Sequence, residues 1–139
     1  RIWKKVRAGI PAGSSVSRPS WVCKSMNLRE ARCLFTRLLA DLIRQASAEG
    51  FEVSLNEVIR DPRMAQFNAN AGKGISNSLH LLVLAADLNL YRGGVFLSSS
   101  AEHKPLGQYW KGLHPLCRWG GDFTKPDGNH YSISWEGRA

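Results

Sequence analysis

The stretch Ser78-Leu79-His80-Leu81-Leu82-Val83-Leu84-Ala85-Ala86-Asp87 places a histidine and an aspartate at the two ends of six apolar residues. Burying Asp87 in such a segment without a partner costs several kcal/mol, so this carboxylate must be paired or must bind a metal ion. The spacing alone leaves both interpretations open, a metal site or a buried hydrogen bond to a histidine or an arginine. Downstream, Asp127-Gly128-Asn129-His130 offers a second acid and a second histidine. Two histidines and one carboxylate can hold a zinc ion with a fourth position left open, as catalytic zinc sites do.

The charge of the chain is unevenly distributed. The 139 residues suffice for one domain with its own core, and their net charge is +8. Residues 1–25 carry six basic side chains and no acid, whereas residues 26–139 balance thirteen basic side chains against eleven acidic ones. The charge excess therefore belongs to the first segment, and we expect no nucleic-acid-binding domain. No apolar run approaches the roughly 20 residues of a membrane-spanning helix, so we expect no membrane insertion.

The first 25 residues differ in composition from the rest. They are rich in Gly, Pro and Ser, and they lack both a sustained apolar period and the long apolar run of a signal peptide. Met26 stands directly before a helix start. We therefore expect the native protein to begin at Met26 and residues 1–25 to be a non-native or disordered basic tail.

From Met26 onward the pattern predicts helices and mostly antiparallel strands. Asn27 and Glu30 resemble a capping box for a helix that Gly50 ends. Further helices are predicted from Asp61-Pro62 and from Lys104-Pro105, and a turn region over 117–123. Alternating segments predict strands at 51–55, 85–91, 95–97 and 130–135. Without a regular βαβ alternation, these elements predict one small α+β domain over residues 26–139, a mostly antiparallel sheet flanked by helices.

The other two histidines receive ordinary interpretations. His103 follows Glu102 in what looks like a polar loop, and His114 ends an amphipathic helix, where a cation suits the helix dipole. We expect neither to bind a metal ion.

The two motifs together resemble those of the zinc peptidases of the D-alanyl-D-alanine carboxypeptidase and L-alanyl-D-glutamate peptidase family. That family carries Ser-x-His-x-x-Gly-x-Ala-x-Asp and then an acid three residues before a final His, and the small single-domain phage endolysins are its most similar members. The resemblance runs from about Met26 to Trp135 and includes the segments 73–78, 85–90, 105–110 and 117–123. It implies the Hedgehog/D,D-peptidase-like zinc peptidase fold. Val83 replaces the family glycine, so we expect neither a close backbone approach nor a positive φ there.

The resemblance also implies roles for particular residues. The zinc ligands are His80, Asp87 and His130, and Asp127 is the general base. Arg60 steadies the substrate or the developing oxyanion, and Ser78 lines the site. From the residues alone, Asp127 can equally be an ordinary turn residue, and Arg60 can equally be a solvated side chain before a helix. Trp119 and Tyr131 either wall the cleft or belong to the core, as aromatic residues more often do.

The activity implied is hydrolysis of the peptidoglycan stem peptide at the L-alanyl-D-glutamate bond, by a monomeric phage or prophage endolysin. Such an enzyme waits in the host bacterial cytoplasm until a holin opens the membrane. A D-alanyl-D-alanine carboxypeptidase is the near alternative, but an enzyme that maintains its own wall normally needs an export signal or an anchor. A non-catalytic, zinc-stabilised binding module on the same fold is the second alternative. A nucleic-acid binder is a third, supported only by the charge of residues 1–25.

Overall fold

The computed structural model describes residues 25–139, and the expectation of a foreign or disordered tail falls almost entirely outside them. Three helices and five strands make up the described part. The helices are α1 (Leu28–Ala48), α2 (Pro62–Asn70) and α3 (Ser100–Leu113). The strands are β1 (Glu52–Leu55), β2 (Ala85–Arg92), β3 (Val95–Leu97), β4 (Cys117–Trp119) and β5 (His130–Ile133). Short 3-10 turns lie at Leu79–Leu82 and Gly120–Asp122.

Helix α1 begins and ends where its sequence signals place it. The side chain of Asn27 accepts from the Glu30 N–H, and the Glu30 carboxylate accepts from the Asn27 N–H, both at 3.0 Å. Beyond the helix, Gly50 adopts a positive φ of 82°. One face of α1 is buried against α3 and β1 and consists of Ala31, Leu34, Phe35, Leu38, Leu42 and Ala46.

The sheet is antiparallel and is organised around β2. Its order is β1-β2-β5-β4, and β3 also pairs with β2. Strand β1 follows one edge of β2, while β5 and then β3 share the other edge, β5 beside residues 85–87 and β3 beside residues 90–92. The prediction of a small α+β domain with a mostly antiparallel sheet is confirmed.

Two element predictions were wrong. Helix α3 begins at Ser100 rather than at Lys104-Pro105, because Ser99 and Glu102 form a second capping box. Pro105 therefore lies inside the helix, where it has no N–H to donate to the carbonyl of Ala101, four residues earlier. Both residues are exposed, so that carbonyl is open to water. The predicted turn region over 117–123 contains strand β4, which pairs with β5 before the 3-10 turn begins.

Val83 closes the 3-10 turn in the left-handed region, with φ 58° and ψ 43°. Its N–H donates to the His80 carbonyl at 3.3 Å, and strand β2 begins two residues later. The expectation that this position needs no positive φ was therefore wrong. A β-branched residue rarely adopts this conformation, whose cost for an L-residue is about 1–2 kcal/mol.

The core lies between the helices and one face of the sheet. Trp110 of α3 stands edge-on to Phe35 of α1 and to Tyr131 of β5, with ring centroids 6.0 and 6.1 Å away. Its indole N–H donates to the carbonyls of Arg118 and Ser132. Trp119 and Tyr131 both belong to this core, so of the two interpretations the core one is confirmed. Within residues 25–139, no helix has the length and apolar character needed to cross a membrane.

Candidate metal centre

Three side chains from three different elements converge at one point of the sheet. His80 Nε2 lies 3.2 Å from Asp87 Oδ1 and 3.2 Å from His130 Nδ1. The distance between His130 Nδ1 and Asp87 Oδ1 is 3.0 Å. The three side chains singled out in the sequence as a ligand set are therefore adjacent in the structure, and together they could hold a metal ion.

The register of the sheet places two of these side chains. Asp87 and His130 are directly opposite each other on β2 and β5, so their side chains emerge on the same face. Asp87 is also fixed through its backbone, whose N–H donates to the Glu57 carbonyl at 2.7 Å and whose carbonyl accepts from the Asn56 N–H at 2.8 Å. These bonds extend the β1–β2 pairing past the end of β1.

The third side chain is placed by a local cap. Ser78 precedes the 3-10 turn, and its Oγ accepts from the His80 N–H at 3.3 Å. Only 1 % of His80 is exposed, and within the described residues its Nδ1 has no hydrogen-bond partner. The orientation of the His80 ring therefore depends on packing and on the Ser78 cap rather than on a partner for Nδ1.

The surroundings of Asp87 favour its ionised form. Burial is the largest single influence and opposes ionisation, but hydrogen bonds and charge from His130 and His80 together outweigh it. The pKa of Asp87 is lowered to about 2. A carboxylate with a lowered pKa next to two imidazoles is the donor set expected of a divalent-cation site.

The donor geometry also fits such an ion. Tetrahedral ligands at about 2.0–2.1 Å from a zinc ion stand about 3.3 Å from one another. The three donor atoms here are 3.0 to 3.2 Å apart and form a near-equilateral triangle. A cation at the centre of the triangle would contact all three atoms at once, whereas each hydrogen bond between them joins only two.

The triangle lies in a cleft of about 430 Å³. The other three residues singled out in the sequence, Arg60, Ser78 and Asp127, line the same cleft. Ser78 is buried, and its hydroxyl caps the His80 turn. All six candidate site residues are therefore brought together, although their chemical roles stay predictions.

Asp127 is exposed, and its backbone is tightly held. Its N–H donates to the Gly120 carbonyl at 2.9 Å, and its carbonyl accepts from the His130 N–H at 3.1 Å. The turn that carries the acid is thus bonded directly to one member of the triangle. A Cβ on Gly120 would stand 2.2 Å from the Asp127 carbonyl oxygen, so only glycine fits there.

Arg60 is held by an acid that sequence reasoning missed. Its Nε donates to Glu57 Oε1 at 2.9 Å, and its Nη2 forms a second, short contact with Glu57 Oε2. This bidentate pair raises the pKa of Arg60 and lowers that of Glu57. The Arg60 N–H also donates to the His80 carbonyl at 3.3 Å. The spacing Glu57-x-x-Arg60 was the available signal.

The remaining two histidines lie apart from the triangle. His103 is 2 % exposed on α3, with Nδ1 3.2 Å from the Tyr131 hydroxyl, so its placement in a polar loop was wrong. Burial lowers its pKa despite the opposing influence of the Leu97 carbonyl. His114 does end α3 as predicted, and its Nδ1 accepts from the Leu116 N–H at 3.1 Å.

Among the solved structures that resemble this fold is one of a bacterial peptidase. It is the crystal structure of the Serratia marcescens L-Ala D-Glu endopeptidase ChiX, with a TM-score of 0.60 and 21% sequence identity. The similarity covers 78% of this chain and 84% of that one. No protein-family model matches the sequence, and no characterised protein matches it by sequence. At 21% identity, this similarity shows that the two proteins share a fold and shows nothing further.

Proposed function

We propose that this protein is a zinc peptidase that hydrolyses the L-alanyl-D-glutamate bond of the peptidoglycan stem peptide. The observation that carries the proposal is the triangle of His80, Asp87 and His130 in an open cleft. The fold shared with an L-Ala D-Glu endopeptidase supports the choice of bond. A ligand set of two histidines and one carboxylate also leaves room for a reacting molecule, as catalytic zinc sites require.

Different residues of the site carry out different parts of the hydrolysis. The triangle would hold a zinc ion, which when bound would supply a Lewis acid to polarise the scissile carbonyl and to lower the pKa of a water molecule. Asp127 takes the proton of the attacking water and returns it to the leaving amine of D-Glu, because its exposed carboxylate lines the same cleft. The bond between its carbonyl and the His130 N–H keeps it beside the site.

Arg60 adds a positive charge to the same cleft. Its guanidinium lines the cleft and is oriented by Glu57, so positive charge is already in place as the carbonyl oxygen becomes negative. Electrostatic preorganisation of this kind is often the largest catalytic contribution. Ser78 contributes by fixing the turn that carries His80.

As the biological role we propose a phage or prophage endolysin, monomeric, held in the host bacterial cytoplasm until a holin opens the membrane. The resemblance of the motifs to small phage endolysins supports this role. Expression in a bacterial host with and without a co-expressed holin tests it. We expect lysis only with the holin, and wall digestion without one would contradict the role.

Digestion of purified peptidoglycan, followed by mass spectrometry of the products, tests the activity. New N-terminal D-Glu together with free C-terminal L-Ala is the expected result. Release of D-Ala alone would instead identify a D-alanyl-D-alanine carboxypeptidase. Zinc binding without any cleavage would identify a non-catalytic module on this fold. Zinc in the purified protein, measured by elemental analysis, should approach one ion per chain and fall sharply in His80→Ala.

A further inference from the structure

Two lysines line the cleft without an acidic partner. Lys73 lies in the loop between α2 and the Leu79–Leu82 turn, and Lys125 in the loop that leads to β5. Both are exposed, and neither forms an ion pair with any other residue of 25–139. Their ammonium groups are therefore available to a ligand.

Two other charged side chains of the cleft already have partners. The guanidinium of Arg60 is held by Glu57, and the carboxylate of Asp87 faces the two histidines. Asp127 contributes a second acidic side chain to the cleft lining. With a divalent cation in the triangle the cleft carries a net positive charge, which attracts an anionic ligand.

The backbone holds both lysines near the reacting groups. Pro126 restricts the preceding residue, Lys125, to an extended conformation. Asp127 follows immediately and is bonded to Gly120, so Lys125 stands two residues from the proposed base. The Lys73 N–H donates to the Asn68 carbonyl at 2.8 Å, which anchors its loop to the end of α2.

We propose that Lys125, with Lys73, forms a carboxylate-binding subsite that selects stem peptides whose D-Glu keeps its α-carboxylate free. This inference rests on the proposed function. D-Glu continues the stem peptide through its γ-carboxyl group, so its α-carboxylate is attached to the carbon that bears the scissile nitrogen. Asp127 is proposed to return a proton to that nitrogen, and Lys125 lies on the same loop. Amidation to D-isoglutamine removes the negative charge and with it the attraction.

A matched pair of synthetic peptides tests the subsite, L-Ala-γ-D-Glu-L-Lys and the same peptide with D-isoglutamine. We expect the native protein to cleave the acid with a kcat/KM about tenfold above that of the amide, as a charge-assisted hydrogen bond gives. In Lys125→Gln and in Lys73→Gln this ratio should fall towards one through a higher KM for the acid. Cleavage of the amide, which lacks the negative charge, should fall less than cleavage of the acid. Added salt should raise KM for the acid alone.

Lys104→Gln is the matched control, because Lys104 is an exposed lysine of α3 that does not line the cleft. It should leave both substrates unaffected. Equal cleavage of acid and amide by the native protein would overturn the subsite while leaving the proposed function intact. So would an unchanged ratio in the Lys73→Gln, Lys125→Gln double variant. Cleavage of neither peptide would overturn the proposed function, and the subsite with it.

Discussion

Asp87 shows how much a single residue contributes to this site. Its side chain faces two histidines, while its N–H and carbonyl bond to Glu57 and Asn56. The backbone of Asp87 therefore cannot move away from the triangle without breaking the extension of the β1–β2 pairing. Asp127 differs, because only its backbone is held and its carboxylate is exposed to the cleft. The first arrangement suits a fixed ligand, and the second suits a group that exchanges protons.

The substitution Asp127→Asn tests whether Asp127 exchanges protons without binding the metal ion. The amide keeps the shape and the turn but cannot accept a proton, so kcat should fall by about 10²–10⁴-fold. Zinc content and unfolding temperature should match those of the native protein, because the Asp127 side chain makes no hydrogen bond within the described residues. Steady-state kinetics and elemental analysis provide the two measurements. Lysis of walls at the native rate would refute the assignment of the base.

Val83 is the residue whose side chain conflicts with its backbone. Val83→Gly should raise the free energy of unfolding by on the order of 1 kcal/mol, since glycine adopts φ 58° without the steric cost. Val83→Ala is the control, because it shortens the side chain and keeps the Cβ that opposes a positive φ. Urea denaturation of the three proteins measures the effect. A glycine variant less stable than the alanine variant would show that the conformation is not strained.

At the scale of elements, the site depends on short connections rather than on long helices. The loop after β1 bonds to Asp87 through Asn56 and Glu57, and to the His80 carbonyl through the Arg60 N–H. The loop before β5 bonds to the Gly120–Asp122 turn through Asp127. Each loop thus holds one charged residue of the candidate site beside the triangle. Arg60 is bonded to His80, and Asp127 is bonded to His130.

Gly120 tests the second of these connections. In Gly120→Ala the new Cβ would stand 2.2 Å from the Asp127 carbonyl oxygen and 2.8 Å from the His130 Cβ. We expect a loss of about 1–3 kcal/mol in unfolding free energy and a clear loss of activity, because the loop must shift. Gly112→Ala is the matched control, since a Cβ on this helical glycine would meet no heavy atom of another element within 4 Å. That substitution should stabilise α3 by about 0.5–1 kcal/mol.

Glu57→Gln tests the first connection. The amide is nearly isosteric, but it loses the charge that holds Arg60 in a bidentate pair. We expect kcat/KM to fall about tenfold with zinc content unchanged. The Glu57→Gln, Arg60→Ala double variant is the control. Its activity should equal that of Arg60→Ala alone if Glu57 acts through Arg60, and independent losses would contradict that role.

At the scale of the whole molecule, the triangle joins separate parts of the chain. An ion that binds the folded triangle and not the unfolded chain stabilises the fold by mass action, by about 2.7 kcal/mol at a hundredfold excess over Kd. Removal of the ion with a chelator should therefore lower the unfolding temperature, and zinc should restore it. In His80→Ala the chelator should have little effect. An equal response in both proteins would show that the ion does not bind at the triangle.

Most features predicted from the sequence depend on neighbouring residues, and most features that depend on distant contacts were missed. His130 and Asp127 are the exceptions, because the family resemblance supplied them. The Asn27 cap and the His80–Asp87 motif could be found because their signals lie within ten residues. Strand β4 was missed because it has three residues and forms only by pairing with β5. The burial of His103 likewise depends on Tyr131, 28 residues away. The start of α3 was a local signal, Ser99 with Glu102, that the proline at 105 obscured.

The position of β2 between β1 on one side and β5 with β3 on the other has a consequence for biosynthesis. Strand β1 precedes β2 in the chain and β3 follows it after a two-residue turn, but β5 begins 43 residues after Asp87. A nascent or truncated chain that ends before His130 therefore leaves residues 85–87 of β2 unpaired on that edge and Asp87 without its opposite histidine. Such an open edge readily pairs with another chain. Premature termination should thus yield an aggregating product rather than a weaker enzyme, and assembly of the triangle should be a late event in folding.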